Sequence, residues 1–284
     1  MISEKRVLSA NISIYGKEAI LHDVINRYPA CFERVIDGEL DYVTKRLGVE
    51  EFSVHALDLG CGTGYITAKL AKKRNILIDS VDLSAEMIEV LRTKLGGTSS
   101  VKTYVSDVVK FVEHKTEERK NYDLIVLSGL LHHLYDYKGF LEKTMGIIKP
   151  GGYIYVIFEP YRTKNMRKGY PFLILFQMLL RRFIYDREGI RQRIATQLRG
   201  TLGDQIGNGE DSDKLIAEFH QCCTKDFDYG TITQTLLDAG VIIEKEATYP
   251  FSLYSWNYRL FSRIKFFHDH FRIIARMNDR DGHS

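Results

Sequence analysis

Short apolar runs alternate with segments of helical spacing between residues 54 and 160. The runs predict five β-strands, at Val54–Leu59, Ile76–Asp82, Val101–Val105, Tyr122–Ser128 and Tyr153–Phe158. The segments between them predict four helices, at Thr63–Lys73, Ala85–Lys94, Val108–Glu118 and Lys138–Ile148. Pro150-Gly151-Gly152 predicts a turn before the fifth strand. Strands separated by crossovers of this length are typical of a parallel sheet, doubly wound with helices on both faces.

The two ends of the chain follow other patterns. They predict helices at Glu18–Tyr28, Cys31–Leu47 and Thr231–Ala239, and strands at Val241–Ala247 and Phe271–Met277. Together these boundaries divide the chain into an N-terminal helical cap (1–50), a core (51–160), a helical insertion or lid (161–230) and the C-terminal part of the core sheet (231–284).

Composition narrows the class of protein without naming a function. The chain has 284 residues, of which 44% are hydrophobic, so a large core can be buried. Its net charge of +3 is too small to indicate nucleic-acid binding. The charged residues near the N-terminus, with no apolar run behind them, predict no secretory signal. The longest apolar run, Pro171 to Leu180, is shorter than the roughly 20 residues of a membrane span. The four cysteines form no CxxC pair, which predicts a reduced, cytoplasmic protein without a metal site.

A glycine-rich loop follows the first predicted strand. Its sequence is Asp58-Leu59-Gly60-Cys61-Gly62-Thr63-Gly64, and a helix follows it. Glycines let the backbone turn sharply and approach a ligand that a Cβ atom would block. In an open parallel sheet, ligands bind beyond the carboxyl ends of the strands. The loop alone indicates a nucleotide-like ligand, and some loops of this kind only turn a corner.

Polar residues at the ends of the later strands sharpen this prediction. Asp82 ends the second strand, where a carboxylate can accept both hydroxyls of a ribose. Asp107 follows the third strand and can accept from an adenine amino group, although a plain helix N-cap is the alternative. Ser128 ends the fourth strand, beside the first.

The order of these pieces resembles the class I S-adenosylmethionine-dependent methyltransferases over about residues 54–160. Five segments carry the resemblance: Asp58–Gly64 (motif I), Asp82, Asp107 with Val108, Tyr122–Leu134 (motif IV) and Lys149–Gly152. The resemblance implies an α/β fold, a Rossmann-like sheet of seven strands with strand seven antiparallel. The patterns described above add helices at the N-terminus and a helical insertion between strands five and six. The resemblance also implies S-adenosyl-L-methionine as the cofactor.

The resemblance further assigns cofactor contacts to individual positions. They are Asp58, Gly60, Gly62, Gly64, Asp82, Leu83, Met87, Asp107, Val108, Ser128 and Tyr15. Leu83 and Met87 would flank the adenine, and Ser128 would lie near the methionine portion. Tyr15 would cover that portion from the N-terminal region, with ordinary packing as the alternative.

The nearest rival is a nicotinamide dehydrogenase. Its fingerprint, G-x-G-x-x-G, needs glycine at the position that Tyr65 occupies here, whereas Gly64 falls one residue early. Asp82 does not discriminate, because both families place an acid there. Asp58 and Asp107 favour the methyltransferase.

Three residues are candidates for a general base, which methyl transfer needs only when the acceptor must lose a proton. His133 and His132 follow the fourth strand, with His133 favoured because it precedes Leu134 as in similar family loops. Either histidine could instead cap a helix or bind the cofactor carboxylate. Glu159, at the end of the fifth strand, is the third candidate, with a turn residue as the alternative.

The insertion bears on the acceptor. Residues 160–200 contain ten Lys or Arg, only two acids and an apolar run at Phe172–Leu180. This composition suits a pocket for an acidic or lipophilic small molecule, or contact with an anionic membrane or carrier protein. A core-packing helix or a homodimer interface would fit equally well.

The sequence therefore predicts methyl transfer to a small-molecule acceptor. An RNA- or protein-directed methyltransferase and a non-catalytic binding protein of this fold are the alternatives. The loop after strand four lacks the Asn/Asp-Pro-Pro-Tyr/Phe motif of DNA amino-methyltransferases, so DNA is not expected as a partner, and no separate nucleic-acid module supports RNA.

Overall fold

The computed structural model describes Lys5, Val7–Ser9, Asn11, Tyr28, Ala30–Tyr161, Phe227–Pro250, Arg263 and His268–Asp279. Tyr15, nearly all of the predicted helix Glu18–Tyr28 and most of the insertion at 161–230 lie outside these residues. The predictions made for them therefore stay predictions.

Seven strands form one sheet. They are β1 (Val54–Leu59), β2 (Ile76–Asp82), β3 (Val101–Val105), β4 (Tyr122–Ser128), β5 (Ile148–Pro160), β6 (Val241–Tyr249) and β7 (His270–Met277). Their order is β3-β2-β1-β4-β5-β7-β6. Neighbours from β3 to β5 run parallel, whereas β7 is antiparallel to both β5 and β6. The predicted fold, including the antiparallel seventh strand, is confirmed.

Six helices with described bounds accompany the sheet, and Lys5, Val7–Ser9 and Asn11 are helical as well. The six are α1 (Ala30–Arg46), α2 (Tyr65–Leu70), α3 (Ala85–Leu95), α4 (Val108–Glu117), α5 (Tyr137–Met145) and α6 (Tyr229–Asp238). A single 3-10 turn, Leu131–His133, lies between β4 and α5.

The core is divided by the sheet into two layers, as the near-continuous apolar strands require. One layer buries α1 through Phe32, Ile36, Leu40 and Val43, which recur at three- and four-residue spacing. The other layer buries residues of α4, α5 and α6 against the opposite face. Both faces of β1 and β4 are therefore covered, and only the strand ends open to a ligand.

Several element boundaries differ from the sequence prediction, most of them by one or two residues, and the largest shift is at the fifth strand. The fifth strand begins at Ile148 rather than Tyr153, so the predicted helix ends earlier, at Met145. Pro150-Gly151-Gly152 does not separate helix from strand but forms an irregularity within β5, where the pairing with β4 jumps from Tyr122↔Ile148 to Leu124↔Tyr153. Strand β4 pairs with β5 on both sides of this interruption. The Pro-Gly-Gly signal is local, so it cannot show that the strand continues beyond the irregularity.

Candidate cofactor and acceptor site

A cavity of about 810 Å³ opens at the carboxyl ends of the parallel strands. The loops after β1, β2, β3 and β4 all contribute to its wall, as does the N-terminal segment through Val7, Leu8 and Asn11. Since β1 and β4 are neighbours while the chain crosses over on either side, the cavity lies at the switch point of the sheet.

The glycine loop adopts backbone angles that favour glycine. Gly60, Gly62 and Gly64 have φ values of 69°, 53° and 80°. A Cβ on Gly60 would come within 2.8 Å of Leu130 Cδ1, and one on Gly64 within 2.1 Å of Leu91 Cδ1. Gly60 and Gly62 line the cavity. Gly64 is not among the cavity-lining residues and packs against Leu91 of α3, so its cofactor contact stays a prediction.

Asp58 is a buried carboxylate with one oxygen unsatisfied. Its Oδ2 accepts a 2.6 Å hydrogen bond from the Thr67 hydroxyl, which also lies 2.9 Å from Ser80 Oγ. Oδ1 is buried and has no hydrogen-bond partner among the residues that the structure describes. Burial raises the pKa of Asp58 to about 6. The hydrogen bonds from Thr67 lower the pKa, and the negative charge of the nearby Asp82 raises it further. Because Asp58 lines the cavity, a bound cation would satisfy the oxygen and favour its charge.

Asp82 connects the glycine loop to the next crossover. Its Oδ2 accepts from the Gly62 amide at 2.8 Å and its Oδ1 from the Ser84 amide at 2.9 Å. These bonds fix the carboxylate at the cavity wall. Each carboxylate oxygen can accept more than one hydrogen bond, so ribose hydroxyls can be added to this arrangement.

Asp107 forms the N-cap of α4. Its Oδ1 accepts from the amides of Val109 and Lys110 at 2.8 and 3.1 Å. Asp107 therefore is a helix N-cap, the alternative that the sequence left open. Because both bonds use Oδ1, Oδ2 can still accept a hydrogen bond from a ligand. The remaining predicted contacts, Leu83, Met87, Val108 and Ser128, all line the same cavity.

The position of Glu159 does not fit the predicted role of a base that faces the acceptor. It is fully buried and is not among the cavity-lining residues. Its Oε1 accepts from the amides of Leu130 and Leu131, both at 2.7 Å. Its Oε2 accepts from the His132 amide at 3.2 Å and lies 2.9 Å from His132 Nδ1. Glu159 therefore holds the loop after β4 in place, and a base at this position is corrected to a positioning residue.

The charge of Glu159 is stabilised by the loop that it holds. Burial raises the pKa of the carboxyl group, but His132, through its charge and hydrogen bond, and the Leu131 amide together lower it below its usual value. Since a carboxylate only accepts hydrogen bonds, His132 carries its proton on Nδ1.

His132 and His133 both line the cavity, with ring centroids 3.8 Å apart. His132 is nearly buried, whereas His133 is half-buried. The carbonyl of His133 accepts from the Asn11 side chain at 3.2 Å, which ties the loop to the N-terminal segment. Both histidines thus remain where an acceptor could reach them.

Two residues of the cavity wall, Phe158 and His270, were not predicted from the sequence. Phe158 stacks on Tyr28, with ring centroids 5.1 Å apart and planes 17° apart, and holds an unusual φ of 61° for a residue with a side chain. His270, the first residue of β7, lies on the same cavity, 3.0 Å through its Nδ1 from Asp269 Oδ1. Only the His-Asp-His order at 268–270 could have drawn attention to it.

Comparison with known families agrees with this geometry. Residues 57–154 match the family described as "Methyltransferase domain". The matched stretch runs from β1 into β5 and contains the glycine loop, Asp82 and Asp107. It is a domain of the class I S-adenosylmethionine-dependent methyltransferase family.

Relatives match this domain region at modest identity. A "Ubiquinone biosynthesis O-methyltransferase" of Vibrio vulnificus is 29% identical over 48% of this chain and 54% of its own length. A "Malonyl-[acyl-carrier protein] O-methyltransferase" of Halalkalibacterium halodurans is 29% identical over 66% of the chain and 68% of its own length. The chain spans about half the length of the first of these relatives.

Solved structures with the same fold differ in what they do. The "[4+2]-Cyclase SpnF" superposes with a TM-score of 0.55 at 13% identity, covering 94% of both chains. A "magnesium protoporphyrin IX methyltransferase" from Synechocystis PCC 6803, titled as holding SAH, gives 0.50 at 13% identity, covering 87% of this chain and 84% of its own. Identities this low show the fold alone, so the activity has to be argued from the residues of the site.

The described residues contain neither a membrane-spanning helix nor a metal-binding cluster. None of their helices is both long and apolar enough to cross a membrane. Nor do they contain a group of three or more His, Cys, Asp or Glu side chains suited to a metal ion.

Proposed function

We propose that the protein transfers the methyl group of S-adenosylmethionine to a small-molecule acceptor. The observation that carries the proposal is the unsatisfied Oδ1 of Asp58 in the cavity wall. An uncompensated buried carboxylate is costly, and a ligand that brings a positive charge to it offsets that cost. S-adenosylmethionine offers an ammonium group, together with a ribose for Asp82 and an adenine for the Asp107 side.

The residues present fit the cofactor along its length. Asp58, Gly60 and Ser128 would hold its methionine portion, and Asp82 its ribose. Leu83, Met87 and Val108 supply apolar surface for the adenine. When bound, the cofactor supplies an already activated methyl group, so the protein mainly aligns the acceptor and excludes water.

The names of the relatives support an oxygen acceptor. Both the ubiquinone-pathway relative and the malonyl-carrier relative are named as O-methyltransferases. The stacked Tyr28 and Phe158 provide an apolar face on which a flat or lipophilic acceptor can lie. We therefore favour a small oxygen nucleophile over RNA or protein, for which the described residues show no favouring feature.

Calorimetry with S-adenosylmethionine and S-adenosylhomocysteine tests the cofactor directly. We expect both to bind, and Asp82→Ala to weaken both by about 1.5–3 kcal/mol, the range for hydrogen bonds to a charged group. Asp41→Ala is the matched control, because Asp41 lies on the exposed side of α1 and pairs with Lys73. Binding of NAD with no response to either adenosyl ligand would contradict the proposal.

A second experiment separates the histidines from cofactor binding. If His133 is the base, His133→Ala lowers the turnover of an ionisable acceptor by about 10²–10⁴-fold while calorimetry shows unchanged cofactor affinity. Radiolabelled methyl transfer to phenolic and carboxylic acceptors measures the first quantity. Unchanged turnover removes His133 as a base without affecting the cofactor assignment.

A further inference from the structure

The N-terminal segment brings to the cavity an asparagine that no prediction or comparison assigns. Lys5, Val7–Ser9 and Asn11 are helical, and the side chain of Val7 is buried. Val7, Leu8 and Asn11 all line the cavity, and of these three only Asn11 is polar. The segment is therefore anchored at the cavity wall, where it contributes a single amide side chain from its described residues.

The Asn11 amide has one end bonded and the other buried without a partner. Its Nδ2 donates to the His133 carbonyl at 3.2 Å. Because a carbonyl oxygen only accepts hydrogen bonds, this contact fixes which end of the amide carries the nitrogen. Oδ1 is buried and has no hydrogen-bond partner among the residues that the structure describes. A buried acceptor without a donor is unfavourable, so a ligand that donates a hydrogen bond to Oδ1 would be stabilised there.

Contacts of the loop after β4 place Asn11 near the glycine loop. His133 donates its backbone amide to the Leu130 carbonyl at 3.0 Å. Leu130 in turn packs on the glycine loop, since its Cδ1 lies 2.8 Å from the position that a Cβ of Gly60 would occupy. Strand β4 is the neighbour of β1 but lies two strands from β2 and three from β3, about 10 and 14 Å at the usual strand spacing. Asn11 therefore belongs to the end of the cavity formed by β1 and β4, where Asp58 lies.

Few groups of the proposed cofactor can donate a hydrogen bond to an amide oxygen. They are the adenine amine, the ribose hydroxyls and the ammonium group of the methionine portion. The adenine and the ribose are expected at the ends of β2 and β3, near Asp107 and Asp82, so the ammonium group remains. An ammonium group has three N–H donors and can therefore bond Asp58 Oδ1 and a second acceptor together. The hydroxyl of a methyl acceptor is a poorer match, because it must release its proton and an amide oxygen is too weak a base to take it.

We propose that Asn11 Oδ1 accepts a hydrogen bond from the ammonium group of S-adenosylmethionine, as a second acceptor in addition to Asp58 Oδ1. This inference rests on the proposed function. The two ends of the Asn11 amide would then connect the ammonium group to the His133 carbonyl. Binding of the methionine portion would thereby hold the N-terminal segment against the loop that carries His132 and His133.

Calorimetry of the full chain with three ligands tests which group Asn11 contacts. The ligands are S-adenosylhomocysteine, S-adenosyl-3-thiopropylamine, which keeps the amine but lacks the carboxylate, and 5′-methylthioadenosine, which lacks both. Asn11→Ala should weaken the binding of the first two by a similar factor, roughly 10- to 150-fold, the range for a hydrogen bond to a charged group. Its affinity for 5′-methylthioadenosine should equal that of the parent protein. Asn121→Ala is the control, because Asn121 is exposed and precedes β4 at the opposite edge of the sheet.

Three results would overturn the proposal. Equal losses for all three ligands would show that Asn11 acts only by holding the loop after β4. A loss confined to S-adenosylhomocysteine would assign Asn11 to the carboxylate, and unchanged affinities for all three would show that Asn11 contacts none of them. In each case the parent protein still binds S-adenosylhomocysteine. Failure of the proposed function is distinguishable, since it would show as absent binding of that ligand by the parent protein itself.

Discussion

Glu159→Ala is expected to lower the free energy of unfolding by about 3–5 kcal/mol, the cost of breaking a buried charged network. The substitution removes the acceptor of three buried amides, those of Leu130, Leu131 and His132, and the partner of the His132 ring. Urea unfolding measures the loss. Glu142→Ala, on the exposed side of α5, is the control and should change stability by less than about 0.5 kcal/mol.

The pH dependence of this effect follows from the lowered pKa of Glu159. A carboxyl group whose pKa is lower in the folded state contributes stability above its unfolded-state value and loses it as pH falls through the folded value. The difference between the parent protein and Glu159→Gln should therefore be constant near neutrality and shrink below the usual glutamate value of 4.5. A difference that grows on acidification, or a Glu159→Ala variant as stable as the parent, would contradict the positioning role.

Asp58→Asn should have opposite effects on stability and on cofactor binding. The folded-state pKa of Asp58 is raised from 3.8 to about 6, so the ligand-free protein has its full stability contribution below 3.8 and loses it as pH rises through about 6. Two pKa units correspond to about 3 kcal/mol, which sets the upper limit of the stabilisation expected from the neutral amide at pH 8. Urea unfolding of the ligand-free protein measures it.

Cofactor affinity should fall in the same variant, by roughly 10- to 150-fold, because a charged hydrogen bond is lost. The parent protein should itself bind S-adenosylmethionine about tenfold more weakly at pH 5 than at pH 7, since Asp58 must ionise, whereas Asp58→Asn should lack this pH dependence. Asp41→Asn is the control for both measurements. A destabilised Asp58→Asn protein with unchanged affinity would show that Asp58 is a structural residue only.

The sequence by itself determined the fold, and it located most of the residues that line the cavity at the ends of β1 to β4. The strands β1 to β4 have the predicted bounds, because each is a short apolar run closed by polar or turn-forming residues, and these signals are local. The glycine loop, Asp82 and Asp107 were likewise found because each follows directly from the end of a strand. Gly64 shows the limit of this reasoning, since its glycine is required by Leu91, 27 positions further along the chain.

Only the tertiary structure decided the positions of Glu159 and His270. Glu159 could be assigned to the loop after β4 only once β4 and β5 were paired, since its hydrogen bonds reach back 27 to 29 positions. His270 lies on the cavity because β7 is antiparallel, which brings the beginning of that strand to the edge where the others end. The physical reason is the same in both cases: the residues predicted to bind the cofactor follow single strand ends, whereas Glu159 and His270 reach their positions only when distant strands pair.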